Sequence, residues 1–124
     1  MRRSLLAASL FVLFALPALA QDAVKTDPKH YQVILENDQV RVLRIHYGPH
    51  EKSVMHDHPA NVAITLTDAH IKFTLPDGKT AELHEKTGAA LYRDADKHLP
   101  ENTSDKPFEA ILVELKTART ATSK

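Results

Sequence analysis

The chain of 124 residues carries 16 basic and 16 acidic side chains, eight histidines and no cysteine. This even charge balance excludes the basic surface that nucleic acids or anionic lipids require, and the lack of cysteine excludes disulfides and thiolate ligands. The length suffices for one domain with one modest core, so stability must come from that core, from self-association or from a bound ion.

The first 20 residues have the layout of a secretory signal peptide. Arg2 and Arg3 precede an apolar stretch from Leu5 to Leu16, and small residues follow at Ala18 and Ala20. The apolar stretch is too short to span a bilayer comfortably, so we predict cleavage after Ala20 and a periplasmic or secreted protein without stable membrane insertion. The alternative is an uncleaved anchor, and the paired arginines leave the export route open between the general secretory and twin-arginine pathways.

Residues 21–30 are polar and are predicted to form a leader, after which the pattern changes to short strands separated by turn signals. Asp77-Gly78 is the clearest hairpin turn, since a tight turn there requires positive φ. The predicted strands are YQVILEN, QVRVLRIHYG, NVAITLT, HIKFTLP, KTAELHE, AALYR and FEAILVELK. Strands about ten residues apart predict an all-β sandwich or barrel, here one domain over residues 31–117, with a flexible polar tail over 118–124.

The segment VMHDHPANVAITL places His56 and His58 one residue apart at the start of an apolar run. Side chains at i and i+2 of a strand share a face, so the two imidazoles would lie side by side and begin a metal chelate. Asp57 would point outward and is a poor general base, and Met55 is expected to pack. His98, in HLPEN, is the candidate for a third ligand, because a closed barrel brings distant strands face to face. The alternative is a solvated turn that happens to be rich in histidine.

The remaining histidines are interpreted mainly as surface or strand-edge residues, because nothing pairs them at ligand spacing; they are His30, His46, His50, His70 and His84. Phe73 and Tyr92 are assigned to the core rather than to a pocket. No organic cofactor is expected, and no catalytic residue is identified.

Two segments resemble the signature motifs of the cupin family. The first family motif is G-x5-H-x-H-x3-4-E-x6-G, and Gly48 with the pair His56 and His58 resembles it. The second is G-x5-P-x-G-x2-H-x3-N, and Gly88 with the run from His98 to Asn102 resembles it. The resemblance covers residues from about 33 to 116. It implies a cupin-type double-stranded β-helix barrel, a conical β-sandwich with a metal between the motifs, and a homodimer, which would also cover exposed strand edges.

The sequence departs from the family at the metal-binding carboxylate. The family glutamate falls at Val62 or Ala63, neither of which can ligate, so the surviving set is His56, His58 and His98. Three neutral nitrogens leave two or three coordination positions open to water, dioxygen or substrate. The missing carboxylate also makes the site more positive, which favours an anionic or enolate-like substrate. Because ligating histidines must be neutral, metal loss is expected below about pH 6.5.

The resemblance implies a metal-dependent oxygenase acting on a small molecule as the first functional hypothesis, with iron as the first metal and manganese, zinc, nickel or copper as others. Glu101 and Asn102 are candidates to orient His98 from outside the coordination sphere, whereas Asn102 could instead cap a turn. The alternatives are a non-catalytic module that binds a metal, a sugar or another small molecule, and a metal-free structural barrel.

Overall fold

The computed structural model describes residues 21–116, so the predicted signal peptide and the predicted flexible tail lie outside the described residues. The described part is almost entirely β, which confirms the predicted fold class. Its elements are α1 (Ala23–Thr26), β1 (Tyr31–Glu36), β2 (Val40–Tyr47), β3 (His56–His58), β4 (Asn61–Thr65), β5 (Ala69–Thr74), β6 (Thr80–Glu85), β7 (Ala90–Arg93), β8 (Asp96–Asn102) and β9 (Phe108–Leu115). None of its helices is long and apolar enough to cross a membrane.

The strands form two antiparallel sheets. The five-stranded sheet has the order β1-β2-β9-β4-β7, and the four-stranded sheet has the order β3-β8-β5-β6. Alternate residues of β2, β5 and β9 are buried, among them Leu43, Ile71 and Leu112, and they belong to one apolar cluster. This alternation is the period-two pattern of strands with one face on a core.

Each of the seven predicted strands overlaps an observed one. The hairpin at Asp77-Gly78 joins β5 to β6, and Gly78 has φ of +85°, which is accessible to glycine without a steric penalty. The sequence did not predict β3 and β8 as strands. Strand β8 includes Pro100, which lacks the backbone donor that a regular strand uses, and this obscures its pattern.

Residues 21–30, predicted as a polar leader, are packed against the barrel. Ala23, on α1, is fully buried. Gln21 and Asp57 exchange two hydrogen bonds, in which the Asp57 backbone N–H donates to the Gln21 carbonyl at 2.7 Å and the Gln21 N–H donates to Asp57 Oδ2 at 2.8 Å. The Asp57 side chain is thereby committed to the N-terminal segment, away from the neighbouring histidines.

Two predictions about individual side chains are wrong. His30 is not at the surface: it is 5% exposed, stacks on Tyr47 with ring centroids 4.2 Å apart, and bonds Asp27 Oδ2 at 2.6 Å. Tyr92 is not in the core, because it lies on the outer face of the edge strand β7 and is 63% exposed. Phe73 packs against the core cluster as predicted, and it also lines a cavity.

An apolar row crosses the outer face of the five-stranded sheet. The pairing registers align one outward residue from each strand, namely Leu35, Val42, Val113, Val62 and Tyr92. The two ends of this outer apolar row are the most exposed, Leu35 by 51% and Tyr92 by 63%. The row therefore presents a continuous apolar strip to the outside of the barrel.

Candidate metal centre

The fold brings the three predicted histidines together. His56 and His58 lie on β3 and share its inner face, and His98 lies directly opposite His56 on β8. All three are buried, and one nitrogen of each lies within 4.8 Å of the others. The Nε2 atoms of His56 and His58 are 3.0 Å apart.

Each of the three imidazoles has its Nδ1 atom against a fixed oxygen acceptor. The pairs are His56 with the Val54 carbonyl at 2.8 Å, His58 with Glu114 Oε2 at 2.9 Å, and His98 with Asp96 Oδ2 at 3.0 Å. Because carbonyl and carboxylate oxygens only accept, the proton of each neutral ring belongs on Nδ1. Each Nε2 is then left as a bare lone pair, which is the ligand form of histidine.

This arrangement fits a metal ion. Two bare nitrogen lone pairs 3.0 Å apart repel each other, and a cation between them removes the repulsion. The spacing also matches two neighbouring ligands, each about 2.0–2.1 Å from one ion and about 90° apart. Nitrogen donors of this kind suit iron, zinc, copper and nickel alike, so the donor set supports a divalent transition metal without choosing one.

The two carboxylates behind the ligands each form an ion pair with an arginine, and Arg41 also pairs with Asp22. Arg41 Nε donates to Glu114 Oε1 at 2.6 Å, and Arg93 donates to Asp96 Oδ2 at 2.8 Å. Burial alone would raise the pKa of Glu114, and the hydrogen bonds from His58 and Arg41 outweigh it and lower that pKa. The same balance holds the pKa of Asp96 at about 2. Both groups are therefore ionised at neutral pH.

Two of the three histidines, His56 and His98, have a lowered pKa that favours the neutral ring. Burial, together with the neighbouring His58 and His98, lowers the pKa of His56 to about 4. Burial also lowers the pKa of His98, although Asp96 opposes this shift. Because these two ligands keep their lone pairs below pH 6.5, the shifts favour metal loss at a more acidic pH, and the threshold near pH 6.5 stays a prediction.

Glu101 and Asn102, the predicted orienting residues, make other contacts. Asn102 donates to the carbonyls of Gly48 at 3.0 Å and Lys106 at 2.8 Å, which makes it a loop cap, the alternative considered above. Glu101 pairs with Lys72 Nζ at 3.0 Å. Asp96 occupies the orienting position behind the third ligand instead.

Glu114 was missed by sequence reasoning, although the sequence contains a signal for it. Along β9 the buried residues are Phe108, Ala110, Leu112 and Glu114, so the carboxylate occupies an inward position in strict alternation. An acidic residue at an inward position of a core strand requires a partner. The partner, His58, is distant in sequence and could not be assigned without the fold.

A cavity in the barrel opens beside the histidines. It encloses about 620 Å³ of space, including its opening, and His58 and His98 contribute to its wall. The rest of the lining is mostly apolar and includes Phe73, Leu83 and Leu91. Asn61 also lines it, and the Oδ1 atom of this buried side chain has no hydrogen-bond partner among residues 21–116.

Neither a protein-family model nor a curated protein matches the chain. Solved structures do match. A cupin domain from Bordetella pertussis Tohama I is 22% identical with a TM-score of 0.65, over 70% of this chain and 92% of that one. A double-stranded β-helix protein from Klebsiella pneumoniae is 20% identical with a TM-score of 0.56, over 68% and 74% of the two chains. The polyketide cyclase RemF from Streptomyces resistomycificus is 16% identical with a TM-score of 0.54, over 77% and 72%.

Proposed function

We propose that this chain, which has the cupin fold, is an exported protein that binds a divalent metal and uses it to oxidise a small molecule with dioxygen. The observation that carries the proposal is the orientation of three histidines by three Nδ1 acceptors, which leaves three Nε2 lone pairs at one place. When bound, the ion would supply Lewis acidity, open coordination positions and, as iron, redox chemistry. Iron is therefore the first choice of metal.

The charge of the site supports an anionic substrate. Arg41 is shared by Glu114 and Asp22, and Arg93 pairs with Asp96, so these groups carry one net negative charge beside the three histidines and leave about one positive charge of a divalent ion uncompensated. A substrate that arrives as an enolate or phenolate would supply the missing negative charge and an oxygen donor.

The cavity wall supports a substrate with an apolar body. Phe73, Leu83 and Leu91 offer apolar surface, and the buried Oδ1 of Asn61 offers one free acceptor for a hydroxyl or amino group. A sugar, one of the ligands considered from sequence, would leave most of its hydroxyl groups unpaired against such a wall.

The carboxylates near the cluster are committed to other partners. Glu114 is held through its two oxygens by His58 and Arg41, whereas His98 and Arg93 both hold Oδ2 of Asp96, whose buried Oδ1 has no partner among the described residues. Both carboxylates have a lowered pKa, which makes each a weak base towards a substrate. An oxygenase acting on a substrate that is already ionised needs no such base. The same observation favours the second candidate, a non-catalytic module that binds a metal and a small apolar ligand.

Metal content and oxygen consumption test the proposal. The untagged chain from residue 21 onward should carry about one ion per chain by elemental analysis, and His98→Ala should lose it, whereas His50→Ala, at an exposed histidine, should retain it. Loaded anaerobically with iron(II), the protein should consume oxygen with acetylacetone as an enolisable probe, and the zinc-loaded protein should not. Equal metal content in both variants would exclude the metal centre. Metal binding without turnover across a panel of enols and phenols would favour the binding module.

A further inference from the structure

A second histidine pair lies on the outside of the barrel, on the four-stranded sheet. His70 on β5 and His84 on β6 are directly opposite in the pairing register, and their Nδ1 atoms are 2.8 Å apart. The sequence predicted surface or strand-edge residues at both positions, and both are exposed. Their pairing at ligand spacing was not expected from the sequence, and the fold creates it.

The hydrogen-bonding pattern of β5 places the side chains of His70 and His84 close together. The His70 carbonyl accepts hydrogen bonds from Thr103 N at 2.9 Å and Thr103 Oγ1 at 3.0 Å, just beyond β8. The polar backbone groups of His70 therefore face β8 rather than β6. Opposite residues of this kind, without mutual hydrogen bonds, have the closest side chains in an antiparallel pair.

The hydrogen bond and the charges around His84 favour its role as a ligand. Its Nε2 lies 3.2 Å from Glu82 Oε2, and a carboxylate only accepts, so the ring proton is favoured on Nε2 and Nδ1 is left with its lone pair facing His70. Glu82 and Glu101 flank this face together with Lys72, which leaves one net negative charge beside the pair. A cation is favoured there on charge as well as on donor geometry.

We propose that His70 and His84 form a second metal site, for copper(II) in square-planar coordination. Two nitrogens 2.8 Å apart, each about 2.0 Å from one ion, subtend about 90°, the angle between neighbouring ligands in a square plane, whereas a tetrahedral ion needs a separation of about 3.3 Å. Copper(II) and nickel(II) prefer square-planar or tetragonal nitrogen sites, and copper(II) binds more tightly. The other in-plane positions remain open to water or to a donor from another molecule.

Copper(II) titration followed by electron paramagnetic resonance tests this site. The background is untagged His56→Ala protein, in which the barrel centre lacks one ligand. It should bind about one copper(II) per chain with an axial signal and nitrogen couplings. Adding His84→Ala should weaken this binding at least about tenfold, since a chelating ligand is lost. Adding His46→Ala should not change it, because the His46 ring is also exposed and also beside a carboxylate, that of Glu109, but contacts no second imidazole among the described residues.

Wild-type protein provides a second measurement that does not depend on the His56→Ala fold. Copper(II) added beyond the one equivalent that fills the barrel centre should broaden the magnetic resonance signals of the β5–β6 hairpin, and His84→Ala should abolish this broadening. Equal copper affinity with and without His84, or broadening that stays confined to β3 and β8 beyond one equivalent, would overturn the proposal. Because the compared variants have the same barrel centre, their difference is independent of the proposed oxygenase function.

Discussion

Glu114 accepts a hydrogen bond of 2.9 Å from Nδ1 of His58, although 56 residues separate the two in sequence. The cupin motif would place a glutamate among the metal ligands at Val62 or Ala63, and this chain has none there. A buried glutamate is instead behind a ligand, where it fixes the imidazole orientation and increases its basicity. The carboxylate would thus influence a bound ion without occupying a coordination position.

Replacing Glu114 with glutamine should weaken metal binding while preserving the fold. The amide keeps the shape of the side chain but loses the charge that polarises His58 and pairs with Arg41. We expect the dissociation constant for the ion to rise about 10–100-fold, measured by competition with a chelator. The matched control is Glu109→Gln, on the outer face of the same strand, which should leave metal affinity unchanged. If both variants bind the ion equally, Glu114 has no role in tuning the site.

The metal-free protein should lose stability as the pH falls from about 6.5 to about 4. Above this window His56 is neutral in both the folded and the unfolded state. Within it the unfolded chain takes up a proton that folded His56, with a pKa of about 4, does not. Stability should therefore decrease with falling pH, by on the order of 2 kcal/mol from this residue.

Urea unfolding of metal-free protein between pH 7.5 and pH 4 measures this dependence. His56→Ala should flatten the pH profile over the window, whereas His50→Ala, at an exposed histidine, should leave its slope unchanged. A profile that is equally steep in all three proteins would show that His56 does not carry the effect.

Removing residues 21–26 should destabilise the barrel and weaken metal binding. The deletion removes buried Ala23, both hydrogen bonds between Gln21 and Asp57, and the ion pair between Asp22 and Arg41. We expect a loss of about 2–3 kcal/mol, measured by thermal and urea unfolding. Removing residues 118–124, the predicted flexible tail, is the control and should change neither property. Unchanged stability in the first deletion would mean that the segment is an ordinary leader.

The outer apolar row is the surface on which we place the predicted homodimer. A second copy would cover Leu35, Val113 and Tyr92, which otherwise remain in contact with water. Tyr92→Glu should convert the dimer to a monomer in sedimentation experiments without unfolding it, since this side chain is exposed in the single chain. Thr80→Glu, on an exposed position of the other sheet, is the control. A wild-type protein that sediments as a monomer would contradict the prediction.

The sequence predicted the parts of the fold that depend on local pattern. Strand positions followed from alternation, and the β5–β6 hairpin followed from the conformational freedom of Gly78. Strand β8 was missed because Pro100 and the polar residues around it hide the alternation. His98 could still be proposed as a ligand because a closed barrel brings distant strands face to face, and the family resemblance then supported the same residue.

The hydrogen-bond partners of the ligand histidines depend on how the strands pair and pack, which the local sequence pattern does not reveal. Glu114 on β9 and His58 on β3 belong to different sheets, so their contact forms only when the two sheets pack together. His30 was interpreted as a surface or strand-edge residue because nothing in the sequence pairs it at ligand spacing, yet the fold stacks it on Tyr47. Such contacts join segments far apart in the chain, so composition and spacing alone carry no information about them.

The acceptors bonded to the three Nδ1 atoms differ in charge, so the three imidazoles would donate unequally to a bound ion. His58 and His98 rest on ionised carboxylates, whereas His56 rests on the uncharged carbonyl of Val54. His56 is therefore the weakest electron donor of the set. We expect the bond from His56 to a bound ion to be the weakest of the three. An incoming ligand would therefore displace His56 before His58 or His98.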